Sequence, residues 1–98
     1  MADFLTKHAT AHKIENIILN SRWKLILVSP YLQASKTFMD RLKDADARGV
    51  GTLVICGKDE LASDENTQLN RLKNLLLMFC EHLHAKCYFN EDDMVIIS

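Results

Sequence analysis

Two positions apart near the end of the chain, His84 and Lys86 pair an imidazole that can attack or protonate with an ammonium that can hold a phosphoryl oxygen. Residues 83–89 read as a strand, and period-two alternation puts both side chains on one face, about 7 Å apart along it. The pair suits chemistry on phosphate. Glu91 follows Lys86 by five positions at the strand end, where a carboxylate can fix the tautomer of a histidine, as the third member of a triad does.

Neighbouring residues raise two further readings. By the same alternation His82 shares the face of His84, as a partly exposed support or hydrogen-bond partner. Cys80, His82 and His84 together suggest zinc, but Cys87 falls on the other face and no CxxC knuckle accompanies them, so neither a metal nor any other cofactor is expected. A Gly-rich phosphate loop, a GxSxG elbow, an HExxH helix and a basic helix are all absent from the sequence.

A histidine on a strand needs a sheet to hold it. Residues 10–19 place Ile14, Ile17 and Ile18 at helical spacing, and WKLILV at 23–28 is too short for another helix and reads as a buried strand. Ser35 caps a second helix with Phe38, Leu42 and Ala45 on one stripe, and Gly49 closes it. VGTLVIC at 50–56 is a second buried strand, ended by Gly57 and the charged loop KDELASDEN. Ser63 or Asp64 caps a third helix, whose stripe runs Leu69, Leu72, Leu75 and Leu76. Residues 83–89 and 94–97 then form a hairpin about Asn90-Glu91-Asp92-Asp93. This order predicts an α/β fold: right-handed crossovers and a mainly parallel sheet flanked by helices, with a C-terminal hairpin.

Tyr31 follows the first strand, where open α/β sheets place ligand-facing loops, and reads equally as a rim aromatic on the sheet edge. Trp23, Phe38, Met78 and Phe79 are expected in the core or against a partner.

Composition sets the frame. Ninety-eight residues, 48% hydrophobic and 26% charged, make one domain with a small core, and three Gly and one Pro leave little for linker. A net charge of −1 offers no global attraction to nucleic acid or an anionic membrane. Residues 1–50 carry eight Lys/Arg against five Asp/Glu and residues 51–98 four against eight, an asymmetry that solvated helix faces account for. Three cysteines and the lack of a signal-peptide layout predict a reducing, cytoplasmic setting, and LILV and LLLMFC are far too short to span a bilayer.

His84-Ala85-Lys86, with Glu91 where an Asp is usual, resembles the HxK(x)4D(x)6GSxN signature of the phospholipase D superfamily. Leu83 and Cys87-Tyr88 complete a typical HxK strand, and Ser29-Pro30-Tyr31-Leu32 after the first strand also matches the family's order. Six residues separate Glu91 from Ser98, which stands where the motif's Gly is expected.

The resemblance implies a metal-independent phosphodiesterase, a hydrolase in which His84 forms a phosphohistidine, Lys86 holds the phosphate and a second histidine protonates the leaving oxygen. It implies a partner: a second His-Lys set, from a homodimer across a two-fold axis or from the rest of a longer chain. The substrate would be nucleic acid or phospholipid, with nuclease activity favoured because no membrane anchor is visible. Residues 1–98 are then expected to be a single lobe that stops inside the motif and is inactive alone. The alternative is a non-catalytic phospholipase D-like binding or assembly module, which Glu91 and the missing GSxN would favour.

Overall fold

The computed structural model describes residues 7–30, 35–57 and 63–97. Tyr31 and Ser98 lie outside the described residues. In chain order the elements are α1 (Lys7–Leu19), β1 (Lys24–Ser29), α2 (Lys36–Ala47), β2 (Gly51–Gly57), α3 (Ser63–Asn70), β3 (Leu75–Cys80), β4 (Lys86–Asn90) and β5 (Met94–Ile97). The strands form one five-stranded sheet in the order β3-β2-β1-β4-β5. β1, β2 and β3 run parallel, while β4 is antiparallel to both β1 and β5. The expected α/β fold, a sheet with parallel strands and helices and a C-terminal hairpin, is what forms, with the hairpin joining the parallel strands in antiparallel sense.

Local chemistry explains the second helix. Ser35 is its N-cap, its hydroxyl accepting the Phe38 amide at 3.2 Å, a contact worth about 1 kcal/mol. Phe38, Met39, Leu42 and Ala45 are buried, and each large side chain among them contributes about 1.5–3 kcal/mol. After the helix the chain must reverse into β2, and Gly49 takes a φ of 84° that a side chain would oppose.

One alternating set of strand residues, Leu25 and Leu27 with Val54 and Cys56, is fully buried with Tyr88 and Val95 against Ile17, Ile18, Leu42 and Leu69 of the helices. Asn90 fixes α1 on this layer by donating from Nδ2 to the Ile17 carbonyl at 2.9 Å. All three described helices therefore pack on one face of the sheet. Phe38 joins the core as expected, whereas Trp23, Met78 and Phe79 are exposed.

Two expectations are corrected. Leu75 and Leu76 do not extend the third helix, which ends at Asn70; they begin β3, an extra parallel strand paired with β2 from Thr52↔Leu75 to Gly57↔Cys80. The cause is a long-range cap. Asp46 at the end of α2 accepts the Asn74 amide at 2.7 Å and the Lys73 amide at 3.3 Å, and the Asn74 carbonyl accepts Thr52 N–H at 2.9 Å. Similarly, the strand expected from Leu83 starts only at Lys86, so His82 and His84 lie on the connection before it and strand alternation does not relate them.

Candidate functional site

The connection between β3 and β4 carries the histidines. β3 and β4 are separated by β2 and β1, so the chain must cross three strand spacings, about 14 Å, on the five residues 81–85. Six peptide steps reach about 20 Å when extended, so the crossing is direct and follows the ends of the strands. Those are the carboxyl ends of β1, β2 and β3, because Cys80 ends β3 opposite Gly57 and Lys86 precedes the pairing of Cys87 with Val28. Open α/β sheets place ligands at this edge.

His84 is exposed on the crossing and Lys86 is partly buried at the head of β4. Alternation along β4 assigns Lys86 to the face of Tyr88, the helix-covered side, and pairing sets it opposite Ile97 of β5. The edge beneath them is tied together by the Gly57 amide, which donates to the Pro30 carbonyl at 3.2 Å. His84 and Lys86 thus flank a loop-to-strand junction at this rim and do not share a strand face.

Glu91 is placed elsewhere. It follows Asn90 at the other end of β4, and its Oε1 accepts the backbone amides of Arg22 at 2.6 Å and Trp23 at 2.8 Å, at the amino end of β1. Partial burial opposes its ionisation, but the amides of Trp23 and Arg22, with those of Glu91 itself and Lys24, outweigh it and hold the carboxyl below its usual range. The full length of β4 lies between this carboxylate and His84, so the expected tautomer-fixing contact is not made.

His82 adopts a left-handed φ of 59° on the same crossing and is exposed. No strand reading can find it; the signal that can is the five-residue count between two strands that are not neighbours in the sheet. Among the described residues, no group of three or more His, Cys, Asp or Glu side chains converges as a metal site, and no helix is long and apolar enough to cross a membrane. Cys56 and Cys87 are free thiols that burial pushes up in pKa.

No protein-family model and no curated protein sequence matches this chain. Solved structures with a similar fold include the following two. One is Nuc from Salmonella typhimurium, described as a phospholipase D family member, at 13% identity and a TM-score of 0.65 over 85% of this chain and 58% of Nuc. The other is TrmBL2, described as an archaeal chromatin protein with a novel mode of DNA binding, at 15% identity and a TM-score of 0.73 over 88% of this chain and 34% of TrmBL2. The chain therefore spans little more than half of the first structure and a third of the second, and what it shares with each is the fold, which in Nuc is that of a phospholipase D family member.

Proposed function

We propose that the chain is one lobe of a metal-independent phosphodiesterase of the phospholipase D type, acting on nucleic acid. The observation that carries this reading is the position of His84, exposed at the carboxyl rim of the parallel strands with Lys86 at the adjoining strand head. A ring nitrogen of His84 attacks phosphorus; the P–N bond forms as the P–O bond to the leaving group breaks, and a histidine from a second His-Lys set gives its proton to the departing oxygen. Water then attacks the phosphohistidine, that second histidine takes the proton back, and the P–N bond breaks to release a phosphomonoester. Lys86 and its counterpart neutralise the equatorial oxygens, whose charge grows in each transition state.

The second set comes from another copy of the lobe or from further chain. Glu91 is assigned no chemical step and serves as an anchor for β1. DNA is named for TrmBL2, which favours nucleic acid over phospholipid as the substrate here.

A second reading draws on that same likeness: a non-catalytic DNA-binding or assembly module on this fold. Hydrolysis of a generic phosphodiester by the full natural chain in excess chelator, beside His84→Ala, separates the two. The enzyme reading expects turnover that chelator spares and His84→Ala lowers by at least about 10³-fold. Equal activity of both proteins overturns the nucleophile assignment. DNA retention by both with no hydrolysis favours the binding module.

A further inference from the structure

Among the described residues, Phe79 is the aromatic side chain that stands open at the carboxyl rim, 46% exposed at the second-last position of β3. Leu75 and Leu77 precede it on the helix-covered side of the strand, and both pack against the core. Phe79 does not, and length is the reason. The eight residues of α3 make about 12 Å of helix, whereas the six of β3 run about 20 Å. Through buried Leu69 the helix covers the amino end of the strand, and it is too short to reach the ring.

Register carries this ring to the site. Phe79 pairs with Cys56 and Cys56 with Ser29, and one step beyond Val28↔Cys87 brings Ser29 opposite Lys86. Phe79 and Lys86 therefore end one transverse row, about 14 Å apart, on the same side of the sheet. Cys56 and Ser29 between them are small and buried. The crossing of residues 81–85 runs along the same strand ends, and His84 is exposed on it, two peptide steps before Lys86 and four after Cys80. Across the rim the order is a phenyl ring, an imidazole and the lysine.

We propose that Phe79 is the platform on which a base of the nucleic acid stacks while a phosphate of the same strand lies at His84. The proposal rests on the reading of His84 and Lys86 as a nucleic-acid phosphodiester site. Even spacing along the crossing sets His84 about 10 Å from β3, a span of about three nucleotide steps at 3.4 Å each. Every base has a π face, so the ring adds affinity without reading sequence. A phospholipid headgroup has no aromatic ring to stack, so the same residue separates the two classes of phosphodiester.

Fluorescence anisotropy tests this without chemistry, with the 98-residue chain, a labelled octathymidine and an octamer of the same backbone without bases. The chain should bind octathymidine more tightly than the abasic octamer. Phe79→Ala should weaken the first by about 5- to 150-fold, what one stacked base contributes, and leave the second unchanged. Phe79→Tyr should bind like the wild type. Phe79→Leu keeps apolar bulk at the end of β3 but has no π face, so it should bind like the alanine variant. If the alanine variant loses its circular dichroism spectrum, the leucine variant carries the test. Equal binding of octathymidine by wild type and Phe79→Leu, no binding by the wild type, or a loss that the abasic octamer shows in full would each overturn the platform. Oligonucleotide hydrolysis that needs His84 and ignores Phe79→Leu would overturn it alone. Binding that follows Phe79 with no hydrolysis by the full natural chain would instead overturn the phosphodiesterase reading and leave the platform standing.

Discussion

Glu91 and Trp23 are joined across 68 positions of sequence: the Glu91 carboxylate accepts the Trp23 amide at 2.8 Å, and the same oxygen accepts the Arg22 amide at 2.6 Å. The contact fastens the β4–β5 turn to the start of β1, the central strand. Asp92 and Arg22 add a 2.6 Å ion pair beside it, too exposed to contribute much. Both amides are exposed and can turn to water, so Glu91→Ala should lower stability by about 0.5–1.5 kcal/mol. Thermal unfolding then shifts down by at least about 2 °C. A variant that melts with the wild type would show that the contact carries no stability.

The same carboxylate makes stability pH-dependent in a defined direction. Its folded pKa lies below the ordinary value of 4.5, so the folded chain binds fewer protons there than the unfolded chain. The contribution is complete above that ordinary value and disappears as pH falls through the lowered folded one. Urea midpoints of wild type and Glu91→Gln should therefore differ at neutral pH and converge on acidification. A constant gap through the acid range would exclude this linkage.

Asp46 is expected to govern β3. Its side chain holds the amides of Lys73 and Asn74, and its carbonyl accepts from Asn74 Nδ2 at 3.1 Å. Asp46→Ala frees the segment that must enter the sheet beside β2. Amide exchange should accelerate most in β3 and least in β1, because β3 is an edge strand. Uniform acceleration across the sheet would indicate global destabilisation instead.

That contact also marks the limit of what the sequence discloses. Ser35, Gly49 and the stripe of Phe38, Leu42 and Ala45 are legible because a cap, a turn and a helix face are decided within a few residues. LLLMFC is not, since six apolar residues continue a leucine stripe as readily as they fill a strand, and the choice falls to Asp46 and Thr52, over twenty positions upstream. His84 was legible as a residue and not as a placement. Strand pairing of β4 with β1 stops at Cys87 and Val28, and the chain before Lys86 is committed to crossing the sheet end. Glu91 misled for the related reason that its partners, Arg22 and Trp23, lie at the opposite end of the sequence.

Arg48 links two helices. Its guanidinium donates to the carbonyls of Ser21 and, at 3.1 Å, Ile18, and to the Asp44 carboxylate at 3.0 Å, so it satisfies the chain end of α1 from the end of α2. Arg48→Ala should cost about 1–2 kcal/mol, read as a lower urea midpoint with an unchanged slope. Arg48→Lys should restore only part of it, because a point charge cannot serve three acceptors set by a planar fork. Full recovery by lysine would reduce the role of Arg48 to its charge.

His84 and Glu91 should separate function from stability. His84 is exposed on the crossing, so His84→Ala is expected to change unfolding by no more than about 0.5 kcal/mol while abolishing turnover. Lys86→Ala should weaken capture of the phosphodiester with only a modest loss of stability, since Lys86 is the first, partly exposed residue of β4. Glu91→Gln should do the reverse, lowering the melting temperature while the activity of the folded fraction persists. Measured together, the three variants decide between a two-residue phosphate site at the carboxyl rim and a triad. A loss of turnover in Glu91→Gln at temperatures where it is fully folded would return the carboxylate to the chemistry, through a rearrangement that brings the two ends of β4 into play.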